Sequence, residues 1–188
     1  MTEARAASPA VHRSVCHAFI SDSRAATAVE FALVAAPFLA LIIALIQTFL
    51  VFFAQQLLES VVQQSARMVM TGQVQTQTLS QDAFKQQVVC KTIPIRIFFD
   101  CSGLMIDMQV ANAWSATDTA MPTLTFDSNG AVTNVWQYNP GTAGDIVVLK
   151  VMYVWPVMLG PLGFNLSNLS SGNRLIMASA AFQNEPSS

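Results

Sequence analysis

The chain predicts an α+β fold, one long N-terminal helix packed on a small antiparallel β-sheet. Three observations carry that reading. Residues 31–54 (FALVAAPFLALIIALIQTFLVFFA) contain no charged side chain. Residues 55–71 then place apolar side chains at three- and four-residue spacing, the stripe of a helix lying on a core. Beyond about residue 104 the period falls to two, the repeat of half-buried strands.

As a helix the uncharged run is roughly 36 Å long, against about 30 Å of bilayer hydrocarbon, so it is long enough to cross. A secretory signal would have an apolar region of only about 7–15 residues ending in a small-x-small site. This run is longer, and Gln55-Gln56-Leu57-Leu58-Glu59 after it offers no such site. The core helix of a soluble domain would carry a polar stripe over so many turns. The run therefore reads as a transmembrane helix over about 31–54. Leu57, Leu58, Val61, Val62, Ala66, Met68 and Val69 continue it as an amphipathic helix over 55–72, with Gln55, Glu59, Gln63, Gln64 and Arg67 between them. No breaker separates the two parts and Gly72 supplies a stop, so one rod is expected from about Ala26 to Thr71.

Residues 1–25 carry Arg5, Arg13 and Arg24 against Glu3 and Asp22, whereas residues 55–188 hold six Lys/Arg and eight Asp/Glu. Next to the membrane, Arg24 stands on one side and no cation precedes Arg67 on the other. This charge bias places residues 1–25 in the cytoplasm as a leader and exports residues 73–188 as an α+β domain.

Cysteine usage fits that compartment. Cys16 lies in the leader, while Cys90 and Cys101 are exported and close a short loop, which reads as a disulfide worth about 3 kcal/mol in the chain-entropy model. Two reduced, buried thiols are the alternative. Both histidines, His12 and His17, precede the membrane helix, so no imidazole reaches an exported cysteine or serine as a base, and mixed Cys/His zinc sites are excluded. Asp100, Asp107 and Asp145 are candidates for an acid pair, but isolated acids at strand ends and turns are usually solvated. No glycine-rich phosphate loop and no basic aromatic patch for nucleic acid is present. An enzyme is not expected, nor any cofactor or metal.

In the exported part, residues 73–79 are polar and read as a loop. Ser80-Gln81-Asp82 can cap a short helix through about Val89, with Phe84 and Val88 inward. Leu104, Ile106, Met108 and Val110 share one face of a strand. Residues 123–135 suggest a hairpin around Asp127-Ser128-Asn129-Gly130. Residues 145–155 (DIVVLKVMYVW) read as a central strand, where Lys150, followed by Pro156 and Gly160, argues against a second membrane span. Residues 174–182 close the sheet.

The segment Thr27-Ala28-Val29-Glu30-Phe31-Ala32-Leu33-Val34-Ala35-Ala36-Pro37 resembles the opening of TadE-like proteins, minor pilin-like (pseudopilin) subunits of tight-adherence (Tad) pili within the type IV pilus superfamily. Further matches follow in order: the Phe84–Cys90 helix ending in cysteine, Pro140-Gly141 running into Gly144-Asp145-Ile146-Val147-Val148, and Asn184-Glu185-Pro186.

The resemblance implies a pilin-like fold and a prepilin-like precursor, cut on the cytoplasmic face by a prepilin peptidase. In the superfamily the acid is the fifth residue of the mature chain, which puts the cut between Ala25 and Ala26, with Glu30 and Phe31 in the recognised segment. The residue before the cut is usually Gly, and here it is Ala25. The implied partners are that peptidase, other pilin-like subunits and Tad machinery of the inner membrane, and the lipid bilayer, with no nucleic acid. The implied role is single-pass assembly in Tad pili for adhesion, with the exported domain periplasmic or extracellular. A carboxylate this close to hydrocarbon costs about 3 kcal/mol unless partnered. Glu30 either reaches into headgroups or meets the amine that cleavage creates at a neighbour's Ala26. Pro37 removes the helical bond to the Leu33 carbonyl and can kink or loosen the span. The competing class is a signal-anchored periplasmic domain that binds a partner or ligand outside any filament.

Overall fold

The computed structural model describes residues 23–91, 93–158, 160 and 163–186. Most of the leader, with Cys16, His12 and His17, lies outside the described residues. The first element, α1, runs over Ser23–Met70 with Pro37 inside it. It starts three residues before the expected Ala26, because Arg24 and Ala25 are strong helix formers and nothing there opposes the turn. Its end follows the sequence. Arg67 stands in the last turn, where a cation complements the helix dipole. The Thr71 and Gly72 amides then donate to the Arg67 and Val69 carbonyls, both at 3.0 Å. Gly72 takes φ +75°, the left-handed step that closes helices.

Residues 73–79, expected as a loop, instead begin with a short helix α2, Gln73–Thr76. Val74 is buried in the main core, so packing shapes a stretch whose side chains are otherwise polar. The capped helix is present as α3, Gln81–Phe84, with the Ser80 hydroxyl accepting from the Ala83 amide at 3.2 Å. It widens into a π-helical turn over Lys85–Val89, and both Phe84 and Val88 are buried as expected. A further helix, α4, covers Ile93–Phe98. Pro94 falls in its first turn, where proline is tolerated because those amides lack helical partners.

Three antiparallel strands form the sheet: β1 Met105–Ala111, β2 Ile146–Trp155 and β3 Arg174–Gln183, with β2 in the centre. Register pairs Ile106 with Val151 and Met152 with Met177. Alternation then sorts the side chains. Ile106 and Met108 of β1, Val147, Leu149 and Val151 of β2, and Ile176 and Ala178 of β3 join the core with Leu58, Val62 and Val69 of α1. On the opposite face Met152 and Leu175 meet Leu124, with Phe126 and Trp136 packed around them from the long β1–β2 connection.

The hairpin expected over 123–135 is reduced to one isolated bridge, Phe126 to Val132. The turn itself is real, with the Asp127 amide donating to the Ala131 carbonyl at 2.9 Å. Side chains take over where a ladder would continue. Asn134 accepts from the Thr125 amide at 2.7 Å and donates to the Thr123 carbonyl at 3.0 Å. Such local bonds compete directly with strand pairing.

β3 runs in the same direction as α1. The Gln55 amide group donates to the Met177 carbonyl at 2.8 Å, and near the other end the Glu185 amide donates to the Met70 carbonyl at 2.9 Å. Gln55 to Met70 is about 22 Å of helix and Met177 to Glu185 about 26 Å of strand, so the two elements keep pace. The sheet thus has a membrane-proximal end, where Trp155 pairs Arg174, and a distal end, where Ile146 pairs Gln183.

Cys90 and Cys101 are joined by a disulfide that encloses α4, resolving the alternative of two free thiols. Replacing both by Ser is expected to lower unfolding stability by about 2–4 kcal/mol. Denaturant titration of the detergent-solubilised chain measures the loss, and thiol labelling of the wild type under non-reducing conditions should leave both positions unmodified.

Candidate functional site

From Val29 into the middle of α1 the large apolar side chains are exposed among the described residues. Phe31 is 73% exposed and Leu33 and Val34 are each 70% exposed. Residues Thr27–Met70 contain one helix long and apolar enough to cross a membrane, and none of the window that qualifies is buried by the described residues. In water such a surface would be untenable; in hydrocarbon it is at home.

Glu30 stands at the head of this surface and is exposed. Pro37 is seven residues on, two turns along the same face and about 10 Å further up the axis. Within the span the Thr48 hydroxyl returns to the Ala44 carbonyl at 2.8 Å, as a hydroxyl must where water is absent. Ala25 and Ala26 lie inside the first turns of α1 rather than ahead of it. The structure therefore places Ala25, Ala26, Glu30, Phe31 and Pro37 on α1, with Glu30, Phe31 and Pro37 exposed, and places Cys90 and Cys101 in the domain that packs on its second half.

Asp100, Asp107 and Asp145 are not brought together. Asp100 accepts from the Ser102 hydroxyl at 2.5 Å and amide at 3.1 Å, and those bonds, the hydroxyl's first, hold its carboxyl below the ordinary value. Asp145 is held down in the same way by the Thr142 amide and hydroxyl. Asp107 is buried on the outer face of β1, where it accepts from the Gln137 amide at 3.0 Å and from the Gln109 side chain.

Directly across the ladder from Asp107 is Lys150, also buried. Its amine donates to Asp118 and to the Ala120 carbonyl, both at 3.1 Å. Asp118 is lowered chiefly by the Ala120 amide and then by Lys150. These contacts fasten the β1–β2 connection to the open face of the sheet beside a cavity of about 70 Å³. Sequence reading used Lys150 only against a membrane span and missed this pairing. A lone Lys in an otherwise apolar strand was the available signal, but its partner, Asp118, lies in the irregular β1–β2 connection.

Cys90 and Cys101 are consumed in the disulfide, and the Tyr138 hydroxyl, desolvated by burial, has its pKa pushed up to about 12. Among the described residues, no group of three His, Cys, Asp or Glu could hold a metal ion.

The later sequence matches converge at the distal end. Buried Asn184 donates to the Pro140 and Thr142 carbonyls at 2.9 and 3.0 Å. Its backbone carbonyl accepts from the Gly144 amide at 3.1 Å and its amide donates to the Asp145 carbonyl at 2.9 Å. Gly141 adopts φ +68°, and a Cβ there would stand 3.1–3.2 Å from Asp145, Val147 and Asn184, so glycine is required. This knot ties the end of the chain to the end of α1.

The structure defines an α+β protein whose longest helix is long and apolar enough to serve as a membrane anchor. Residues 25–67, most of α1, are similar to the family described as TadE-like protein. Searches of curated proteins and of solved structures return no match.

The three lowered acids set the pH dependence. Each has a folded pKa below its unfolded value of about 3.9, so its contribution is complete above about pH 4 and is lost as pH falls through the folded value. The melting temperature of the detergent-solubilised chain should hold on acidification to about pH 4 and fall below it. Asp145→Asn should remove part of that fall, and a melting temperature that rises below that pH would contradict these assignments.

Proposed function

We propose that this protein is a pilin-like minor subunit of a Tad pilus. It is inserted once in the inner membrane, with its leader cytoplasmic and its disulfide-bonded domain exported, and it acts by assembly rather than catalysis. The carrying observation is a coincidence of boundaries. The TadE-like match covers the helix that the domain leaves bare and continues into the part on which the domain sits. That helix begins with Glu30, an acid at the edge of an uncharged run.

In this reading a prepilin peptidase cuts between Ala25 and Ala26, and the new amine of one subunit pairs with Glu30 of its neighbour in a helical bundle. Cutting first requires unwinding the opening turns of α1, a low barrier at a helix end whose amides lack partners. Pro37, which leaves the Leu33 carbonyl without its amide, permits the helix to loosen as it leaves lipid for the bundle. Other pilin-like subunits and Tad machinery are the partners.

Two measurements test this. Mass spectrometry of membrane-extracted protein from a strain with an active prepilin peptidase should give a mature chain beginning at Ala26; retention of residues 1–25 sinks the processing step. In a strain carrying Glu30→Leu alone, the protein should insert and form its disulfide normally yet give few or no surface pili by electron microscopy. Removing one member of a charge pair in a bundle costs about 3–5 kcal/mol, enough to block assembly without touching the fold. Normal piliation with that variant would leave only a signal-anchored domain outside the filament.

A further inference from the structure

The exposed part of α1 is only just long enough to cross a bilayer. Val51 and Ala54 are buried, so protein covers one side of the helix from that level. Phe31 to Leu50 spans about 30 Å, the thickness of the hydrocarbon. Whatever packs against the helix beyond Leu50 therefore stands at the edge of the membrane.

What packs there is the base of the exported domain. Phe98 of α4 meets Phe53 of α1 edge-on at 5.2 Å between ring centroids, and Phe53 stacks on Phe49 at 5.7 Å. Phe99 links α4 to Trp155 at the membrane-proximal end of β2, with centroids 5.8 Å apart. Arg174 pairs Trp155 and lies three residues before Met177, about 10 Å further toward the membrane, near the level of Thr48. The β2–β3 connection hangs from this end, and its Pro156-Val157-Met158 opening is apolar. Ile97 of α4 and Met158 of the connection are each 72% exposed, although both are large and apolar.

We propose that this base, formed by α4 and the start of the β2–β3 connection, is seated in the outer headgroup layer around the exit of α1. The lipid surface is its partner, because the helix that carries the base fixes it at that height. Its aromatic rings and mixed polarity suit the interface rather than the hydrocarbon. Lys91, exposed beside Cys90, is available to anionic headgroups, while Asp100 on the far side of α4 stays ionised and holds that edge in the aqueous part of the layer. The disulfide clips α4 to the core and so fixes the depth at which Ile97 stands. This inference rests on the reading of α1 as a membrane span and goes beyond it, since a span fixes the anchor but not the posture of the domain.

The test uses the full chain in a Cys16→Ser background, reconstituted in liposomes of phosphatidylethanolamine and anionic phosphatidylglycerol. Single substitutions Ile97→Cys, Met158→Cys, Val135→Cys and Phe38→Cys are spin-labelled without reduction, and collision with oxygen is compared with collision with a polar nickel chelate. Phe38 reports the span, and Val135, 94% exposed on the long connection, reports water. The collision ratio at Ile97 and Met158 should shift from the Val135 value toward that of Phe38. Aqueous values at Ile97 and Met158 with a lipid value at Phe38 overturn the seated base while keeping the anchor. An aqueous value at Phe38 overturns the anchor and the inference together, and a lipid value at Val135 overturns the proposed posture.

Discussion

Everything in this protein depends on the registration of α1 against β3 and β2. One side of one helix supplies Ala54, Leu58, Val62 and Val69 to a core that Val147, Leu149, Ile176 and Ala178 complete. Each such aliphatic side chain contributes about 1.5–3 kcal/mol on leaving water, so the second half of α1 is held by the domain as firmly as the domain is held by it. The first half leaves large apolar side chains exposed among the described residues, a surface suited to lipid. A single helix thus has two kinds of surface, and the boundary between them, near Val51, sets the position of every other element along it.

Polar contacts then specify the details. Lys150 faces Asp107 across the ladder but gives its hydrogen bonds to Asp118 and the Ala120 carbonyl, which brings an irregular connection onto the sheet. With Asp118 largely exposed, the Coulombic part of that pairing is small, and its value lies in sparing a buried amine from being left without partners. Asn184 does the same at the distal end, joining four backbone groups of the segment before β2.

Much of the fold was legible in the sequence, for reasons that differ by element. The long helix is visible because an uncharged run followed by a three-to-four stripe has no other stable form. β2 is visible because Ile146-Val147-Val148-Leu149 is β-branched and apolar, and β1 because Ile106 and Met108 alternate with polar neighbours. α4 was not legible: six residues opening Ile-Pro carry no period, and the buried Ile95, the disulfide and the Phe53–Phe98 contact hold them in place. The hairpin was over-read because the Asp127–Gly130 turn is genuine, while Asn134 diverts the bonds a ladder would need. Of the candidate site, the helix residues were identifiable by position alone. The orientation of the domain's base was not, because it follows from which end of β3 meets Gln55, a contact separated by most of the chain.

That same contact governs when the protein can become itself. α1 is the first described element to be synthesised and β3 the last, so the core between them stays open until nearly the whole chain has been made. During that interval Leu58, Val62 and Val69 lack the strand that completes their cover. A chain stopped before Arg174 keeps its long helix and loses the lid over its amphipathic half, leaving an apolar strip exposed, a form fit for a chaperone or a protease.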